Sequence, residues 1–419
     1  MNELGLLKRQ STRFYANHKR VLAQYFNICG EGRSKKVIVR ILTLNTEQAK
    51  QNLENLLYLF ESRHRDFQNI LMKHFERVSG NNSTGEKLTR EQKLLIGAYF
   101  TNEYSVQAAA LFNPSMVEHP DQSGVESDHL RYVMSFRATG EGHISSLEFG
   151  QGVVEADGEI KPEPFASFAT HPESTTTQEH AAEFRYAPQT DISERTVFPV
   201  TPDEANGIED VRLVLFRNEN DDATYYGTYT AYDGRKVQSK ILQTADFLSF
   251  KSRPLTGQAV QNKGMALFPR KINGRYAMIS RQDGENIFLM YSDDLYSWDK
   301  ASLLQEPFLP WEFEQLGNCG SPIETDAGWI LLSHSVGPMR SYHISAYLLH
   351  KDDPSKVIGY LPQPLISPNE SERDGYVPNV VYSCGGLIHN QNLIIPYAMS
   401  DYACGFGTVD VDMLLQKMV

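Results

Sequence analysis

Residues 206–232 read NGIEDVRLVLFRNENDDATYYGTYTAY, and the fold turns on how this stretch is read. Asn206-Gly207 is a turn signal, and the apolar, β-branched run from Val211 to Phe216 has the composition of a strand. An acidic loop, Asn218 to Asp222, follows. The Tyr- and Thr-rich 225–232 is then predicted to return antiparallel. Taken alone, Glu209 and Asp210 are acidic side chains at a strand start, a place where solvated turn residues are common.

Working outward, the same unit recurs. A polar-led strand, a turn and a second strand begin at Asn113, Gly207, Met265, Ser321 and Pro378, so the last four units start 58, 56 and 57 residues apart. The first interval is 94 residues, and the Ser/Thr/Glu-rich stretch 165–196 supplies an insertion. A second repeat accompanies the first: LQTADFLSF at 242–250 and LMYSDDLYSW at 289–298 each place an acidic turn and a terminal aromatic after a strand. Self-similarity at this period, carried by strands, predicts propeller blades. The expected fold is all-β, a five-bladed β-propeller over 101–419. A β-sandwich would not explain the regular spacing.

Ahead of it, 1–100 is read as an N-terminal arm and an α-helical extension. Residues 1–35 are polar and basic, and KVIVRILTL at 36–44 reads as a strand. Asn45 or Thr46 caps a helix, with Gln48 placed to reach back to the cap. Leu53, Leu56, Leu57 and Phe60, then Phe67, Ile70, Leu71 and Phe75, recur at helical spacing, so a helix pair is predicted over 46–79. The Gly/Asn-rich 80–85 breaks it, and a short helix follows at 90–98. The pair is expected to pack on the main domain or on another subunit of a homo-oligomer. Arg63-His64-Arg65 is read as a solvated or intersubunit face.

Composition removes several function classes. The formal net charge of −12 over 419 residues argues against a nucleic-acid partner. The four cysteines, Cys29, Cys319, Cys384 and Cys404, have no CxxC spacing, so no metal site is expected, and their low number suits a reducing compartment. No 7–15-residue apolar signal core opens the chain, and no run of about 18 apolar residues occurs in it. The expectation is a soluble cytoplasmic protein with no membrane partner.

The repeat gives the polar residues a common register. Tyr132 to Arg137, Tyr276 to Arg281 and Trp329 to His334 each place a basic side chain five positions after an aromatic. Arg and Lys are rarely buried unless paired, so three such groups at one register predict an anion- or sugar-binding funnel. Asp210 lies at the same mouth. Because neighbouring strand residues point to opposite faces, Glu209 is expected to face away from it. An inverting hydrolase needs a second carboxylate to activate water. Lys263, Arg281 and His334 would instead hold an anionic nucleophile, and inorganic phosphate fits, since it arrives charged and needs no general base.

At these residues the chain resembles glycoside hydrolase family 130. The segments that carry the resemblance are GIEDVR, NKGMALFPRKINGRY, YSDDLYSW, DDPSKVIG and DGYVPNVVYSCGG, and SRHRDFQNILMKHFERV is similar to the N-terminal extension of some members. The resemblance implies a five-bladed propeller that is a β-mannoside phosphorylase or an inverting β-mannosidase. It implies that Asp210 is the general acid, acting through the 3-hydroxyl of the mannose. It further implies phosphate ligands at Lys263, Arg281 and His334, mannose-binding positions at Asn113, Arg137 and Asp401, and Tyr342 and Tyr376 lining the site. Val211 stands where the family has Pro, Lys263 offers a point charge in place of an Arg fork, and GNCGSP at 317–322 departs from the family's loop. Because the basic trio is kept, the expected reaction is phosphorolysis of a terminal β-mannosidic bond to α-mannose 1-phosphate, with phosphate as co-substrate and no cofactor. The alternatives are an inverting β-mannosidase with Glu141, Glu204 or another carboxylate as base, and a non-catalytic sugar-binding propeller. The insertion at 150–206 and the N-terminal arm are expected to shape the outer sugar subsites.

Overall fold

The computed structural model describes residues 3–30, 32–80 and 88–419. These are mostly β, with 42% in strands and 17% in helices. Residues 81–85 of the predicted helix breaker lie outside the described residues. The chain forms two compact units: Met1–Ala16, Gln107–Phe165 and His171–Val419 make one, and Asn17–Val106 with Ala166–Thr170 makes the other. Relative to the division drawn from the sequence at residue 100, the first 16 residues join the larger unit, and 101–106 and 166–170 join the smaller.

The smaller unit carries four helices among the described residues, Arg33–Leu42, Thr46–Phe60, Phe67–Ser79 and Arg90–Tyr99, and a two-stranded ladder of Val21–Tyr25 with Thr101–Ser105. Asn45 and Gln48 close the expected capping box on Thr46–Phe60. Gly97 lets Arg90–Tyr99 approach Phe67–Ser79, because a Cβ there would run into the Leu71 carbonyl. Two sequence readings fail here. Residues 36–44 are not a strand: Val37, Ile38, Ile41 and Leu42 fall on one helical stripe, and Ile38 and Ile41 join a core with Leu53, Leu71, Leu94 and Phe100. That burial overrides the β-propensity of the Val/Ile run. Nor is His64, within the Arg63-His64-Arg65 face, solvated, although the Arg63 side chain stays 38% exposed. Arg63 donates to both oxygens of Glu103 at 2.6 and 2.9 Å, and buried His64 meets the same carboxylate at 2.9 Å.

The larger unit consists of five antiparallel meanders among the described residues. The first contains Ala110–Glu118, Leu130–Thr139 and Ser145–Val154, and the second Gly207–Arg217, Ala223–Tyr232, Val237–Thr244 and Ser249–Pro254. The third contains Lys263–Leu267, Tyr276–Arg281, Ile287–Ser292 and Ala301–Gln305. The fourth contains Gln315–Asn318, Trp329–Val336, Tyr342–Leu349 and Val357–Tyr360. The fifth contains Val381–Tyr382, Asn392–Met399 and Ala403–Asp410, and Lys8–Tyr15 from the N-terminal arm adds a strand to it by pairing with Ala403–Asp410. The polar arm thus supplies an edge strand, with little apolar periodicity to show.

Apolar clusters fill the spaces between meanders in cyclic order. Val133, Phe149, Leu213 and Tyr229 join the first to the second, and Val214, Phe216, Met278 and Met290 the second to the third. Ile279, Leu289, Leu331 and Leu349 join the third to the fourth, and Leu332, Ile344, Ile395 and Val409 the fourth to the fifth. Met134 and Phe136 meet Ala398 and Phe406 to join the first to the fifth. A cavity of about 280 Å³ is lined by residues of all five, among them Met116, Leu213, Pro269, Pro322 and Leu387. The insertion contributes a hairpin, Ser174–Gln178 with Ala181–Arg185, that extends the outer edge of the second meander beyond Ser249–Pro254. That hairpin and the N-terminal strand therefore hold edge positions in their sheets. No described helix is long and apolar enough to cross a membrane.

Candidate active site

Three first strands share a local irregularity. Their ladders slip between Phe112 and Ser115, between Glu209 and Arg212, and between Lys263 and Ala266. At two of these bulges the inserted residues are Asn113 and Asp210, both left-handed with φ 49°. Asn and Asp tolerate that region better than other side chains. A bulge re-aims a side chain out of strand alternation, and here it overturns the expectation for Glu209. Arg137 donates from Nη2 to Glu209 Oε1 at 3.0 Å and from Nη1 to Asp210 Oδ1 at 3.4 Å, so both carboxylates face one guanidinium.

Around Asp210 the contacts are dense. Asn113 Nδ2 donates to Asp210 Oδ1 at 2.7 Å, and Arg137 is itself held by Nε–H to Ser145 Oγ at 2.9 Å. Burial pushes the Asp210 carboxyl up, but Arg137, Arg212, the Asn113 N–H and Lys263 outweigh it and hold the group below the usual carboxylate range. Asp401 lies in the same field, after the left-handed Ser400 at φ 49°. Burial first, then the charge of Asp210, push its carboxyl up to about 6 against the pull of Arg137. Two carboxyls with opposed shifts thus share the field of one arginine.

The predicted basic trio is brought together. Lys263 and Arg281 are partners across the ladder, and Arg281 Nη1 lies 3.3 Å from His334 Nε2. Lys263 Nζ reaches Glu209 Oε2 at 3.5 Å. His334 is buried, with Nδ1 3.1 Å from the Asn318 carbonyl. Burial, then the Arg281 and Arg212 cations, hold its pKa well below the ordinary value, so the ring is neutral. Tyr342 lies parallel to it, with ring centroids 6.2 Å apart.

Two residues were missed. Arg212, fully buried, donates from Nη1 to the Asp210 carbonyl at 3.0 Å and from Nη2 to Tyr382 Oη at 2.8 Å. The Tyr382 ring in turn packs 4.7 Å from His334. The signal available in the sequence was a single arginine inside an apolar strand. Tyr376 is 66% exposed and stacks on His143 at 6.2 Å, and Glu141 is exposed in the short turn Glu141–His143. Glu204 is a buried structural carboxylate: it takes Lys240 Nζ at 2.8 Å and Tyr229 Oη at 2.6 Å, which removes it as a water-activating base. Asn113 Oδ1, Arg212 Nε and Arg281 Nε are buried with no protein partner, a pattern expected where a ligand completes the hydrogen bonds.

The sequence profile of a family described as beta-1,4-mannooligosaccharide phosphorylase matches residues 90–419. The chain is 33% identical over 215 residues to the 1,2-beta-oligomannan phosphorylase of Thermoanaerobacter sp. (strain X514), spanning 50% of this chain and 71% of that one. It is 34% identical over 163 residues to the Beta-1,4-mannooligosaccharide phosphorylase of Ruminococcus albus, covering 36% and 49% respectively. Its fold is that of the Beta-1,2-Mannobiose phosphorylase from Listeria innocua solved with beta-1,2-mannobiose, at a TM-score of 0.54 and 18% identity over 75% of this chain and 92% of that chain. The chain belongs to glycoside hydrolase family 130.

Proposed function

We propose that the protein is an inverting β-mannoside phosphorylase. The observation that carries the reading is the basic trio Lys263, Arg281 and His334 gathered beside one carboxylate, Asp210, that is hydrogen-bonded by Asn113 and Arg137. In this reading the trio holds inorganic phosphate, Asn113, Arg137 and Asp401 hold the mannose, and Tyr342 and Tyr376 border the site. Phosphate attacks the anomeric carbon from the face opposite the departing oxygen, which converts a β-mannoside to α-mannose 1-phosphate. Atoms and charge balance without a further base, because hydrogen phosphate plus the mannoside gives the sugar phosphate dianion and the free alcohol. Asp210 relays the proton to the leaving oxygen. The cations that hold Asp210 ionised are offset when an anion binds among them, since a like charge raises a carboxyl pKa. Phosphate binding thus readies Asp210 to receive the proton that hydrogen phosphate itself carries, with no proton drawn from solvent.

The five meanders are read as the blades of a five-bladed propeller. The cyclic order of the apolar clusters supports this, as does the cavity to which all five contribute.

Incubating manno-oligosaccharides with and without phosphate tests the reaction. Sugar phosphate should form only with phosphate, and Asp210→Asn should lower its rate roughly 10²–10⁴-fold with the fold intact. Release of free mannose at the same rate without phosphate, or undiminished turnover by the variant, defeats the proposal.

A further inference from the structure

We propose that His334 accepts a hydrogen bond from the bound anion, so that the site selects an oxyanion carrying a proton, hydrogen phosphate, over one without, such as sulfate. The inference rests on the phosphorolytic reading and deepens it. A guanidinium only donates and a carbonyl only accepts. With Arg281 Nη1 3.3 Å from Nε2 and the Asn318 carbonyl 3.1 Å from Nδ1, one tautomer satisfies both sides: Nδ1 carries the hydrogen and Nε2 the lone pair.

Packing holds the ring in that orientation. A Cβ on Gly317 would run into Cε1 and Nε2, so the imidazole lies directly on the Gly317 backbone. Tyr382 packs at 4.7 Å and Tyr342 lies parallel at 6.2 Å. Exchanging the two nitrogens would cost the Nδ1–H bond to a carbonyl belonging to buried Asn318. Doubly protonating the ring would turn an N–H onto the Arg281 guanidinium, beside the further cation of Arg212, and burial and these two cations outweigh the Asn318 carbonyl and the Asp210 charge that favour it. When Arg281 turns to an incoming anion, Nε2 therefore meets that anion as a lone pair. A P–OH group satisfies it; a bare oxygen is repelled. The proton that the reaction must deliver to the leaving alcohol enters the site on the phosphate.

Calorimetry on the full chain near pH 8, titrating inorganic phosphate or sulfate in two buffers of different ionisation enthalpy, tests the idea. Phosphate should bind with close to zero proton uptake, and sulfate at least about tenfold more weakly, the worth of one hydrogen bond to a charged group. His334→Gln can turn an amide N–H toward the anion, and its preference should collapse to within about threefold. Equal binding of the two anions by the wild-type protein, or uptake of close to one proton with phosphate, overturns this inference alone. Binding of neither anion overturns the phosphorolytic reading and this inference with it. Both wild-type readouts stand without the variant.

Discussion

Asp401→Asn keeps the side chain's shape and removes its charge, and the structure assigns that charge a pH-dependent destabilising effect. The folded carboxyl is pushed up to about 6, by burial first and by Asp210 next, whereas in an unfolded chain it titrates near 3.9. Below both values it is neutral in either state and has no effect. Between them the unfolded chain ionises first, so stability falls as the pH rises; above about 6 the loss is complete. A difference of about two pKa units corresponds to at most about 3 kcal/mol. At pH 8 the Asn variant should therefore resist urea better by up to that amount, and the gain should shrink toward zero near pH 4. Trp298, Trp311 and Trp329 are all buried in the larger unit, so tryptophan fluorescence reports the sheets that hold Asp401 without mixing in the helical unit. In an Asp210→Asn background the gain should be smaller, because one source of the shift is gone. An equal difference at pH 4 and pH 8, or a variant that is weaker at pH 8, refutes the reasoning.

Arg281→Ala should raise the KM for phosphate about 10–100-fold while moving the KM for the mannoside little, as checked by steady-state kinetics with each substrate varied. Glu204→Gln leaves the buried Lys240 with Asp203 as its remaining counter-ion and should cost about 1–3 kcal/mol, yet the folded fraction should keep its kcat; a lost kcat at full stability would restore Glu204 as a base. Gly97→Ala should lower the stability of the helical unit by about 1–3 kcal/mol, read by far-UV circular dichroism, and no change would mean that the helix approach at Leu71 tolerates a methyl group.

The strand repeat was legible because turn residues and apolar runs recur at a nearly constant period, a property of the chain itself. The register of Arg137, Arg281 and His334 was legible for the same reason, since each lies five residues after an aromatic on a second strand. What hid from the sequence depended on backbone conformation or distant partners. Glu209 was assigned to the wrong face because alternation fails at a bulge, and left-handed Asp210 betrays itself only through φ. Arg212 takes its meaning from Tyr382, 170 residues away, and Arg63 and His64 take theirs from Glu103. The helix at Arg33–Leu42 was obscured by β-branched residues whose placement is set by the core they enter.

The pairing of Lys8–Tyr15 with Ala403–Asp410 bears on how the protein is made. Lys8 sits opposite Thr408, so this strand leaves the ribosome 400 residues ahead of its partner. At about 5–20 residues per second, that strand waits on the order of 20–80 seconds for its neighbour. During this interval its backbone N–H and C=O groups and the edge of the unfinished fifth sheet are open to foreign strands, the situation in which nascent chains aggregate. Slow synthesis or deletion of Lys8–Tyr15 should accordingly lower the yield of folded protein more than the catalytic rate of the molecules that complete the fifth sheet.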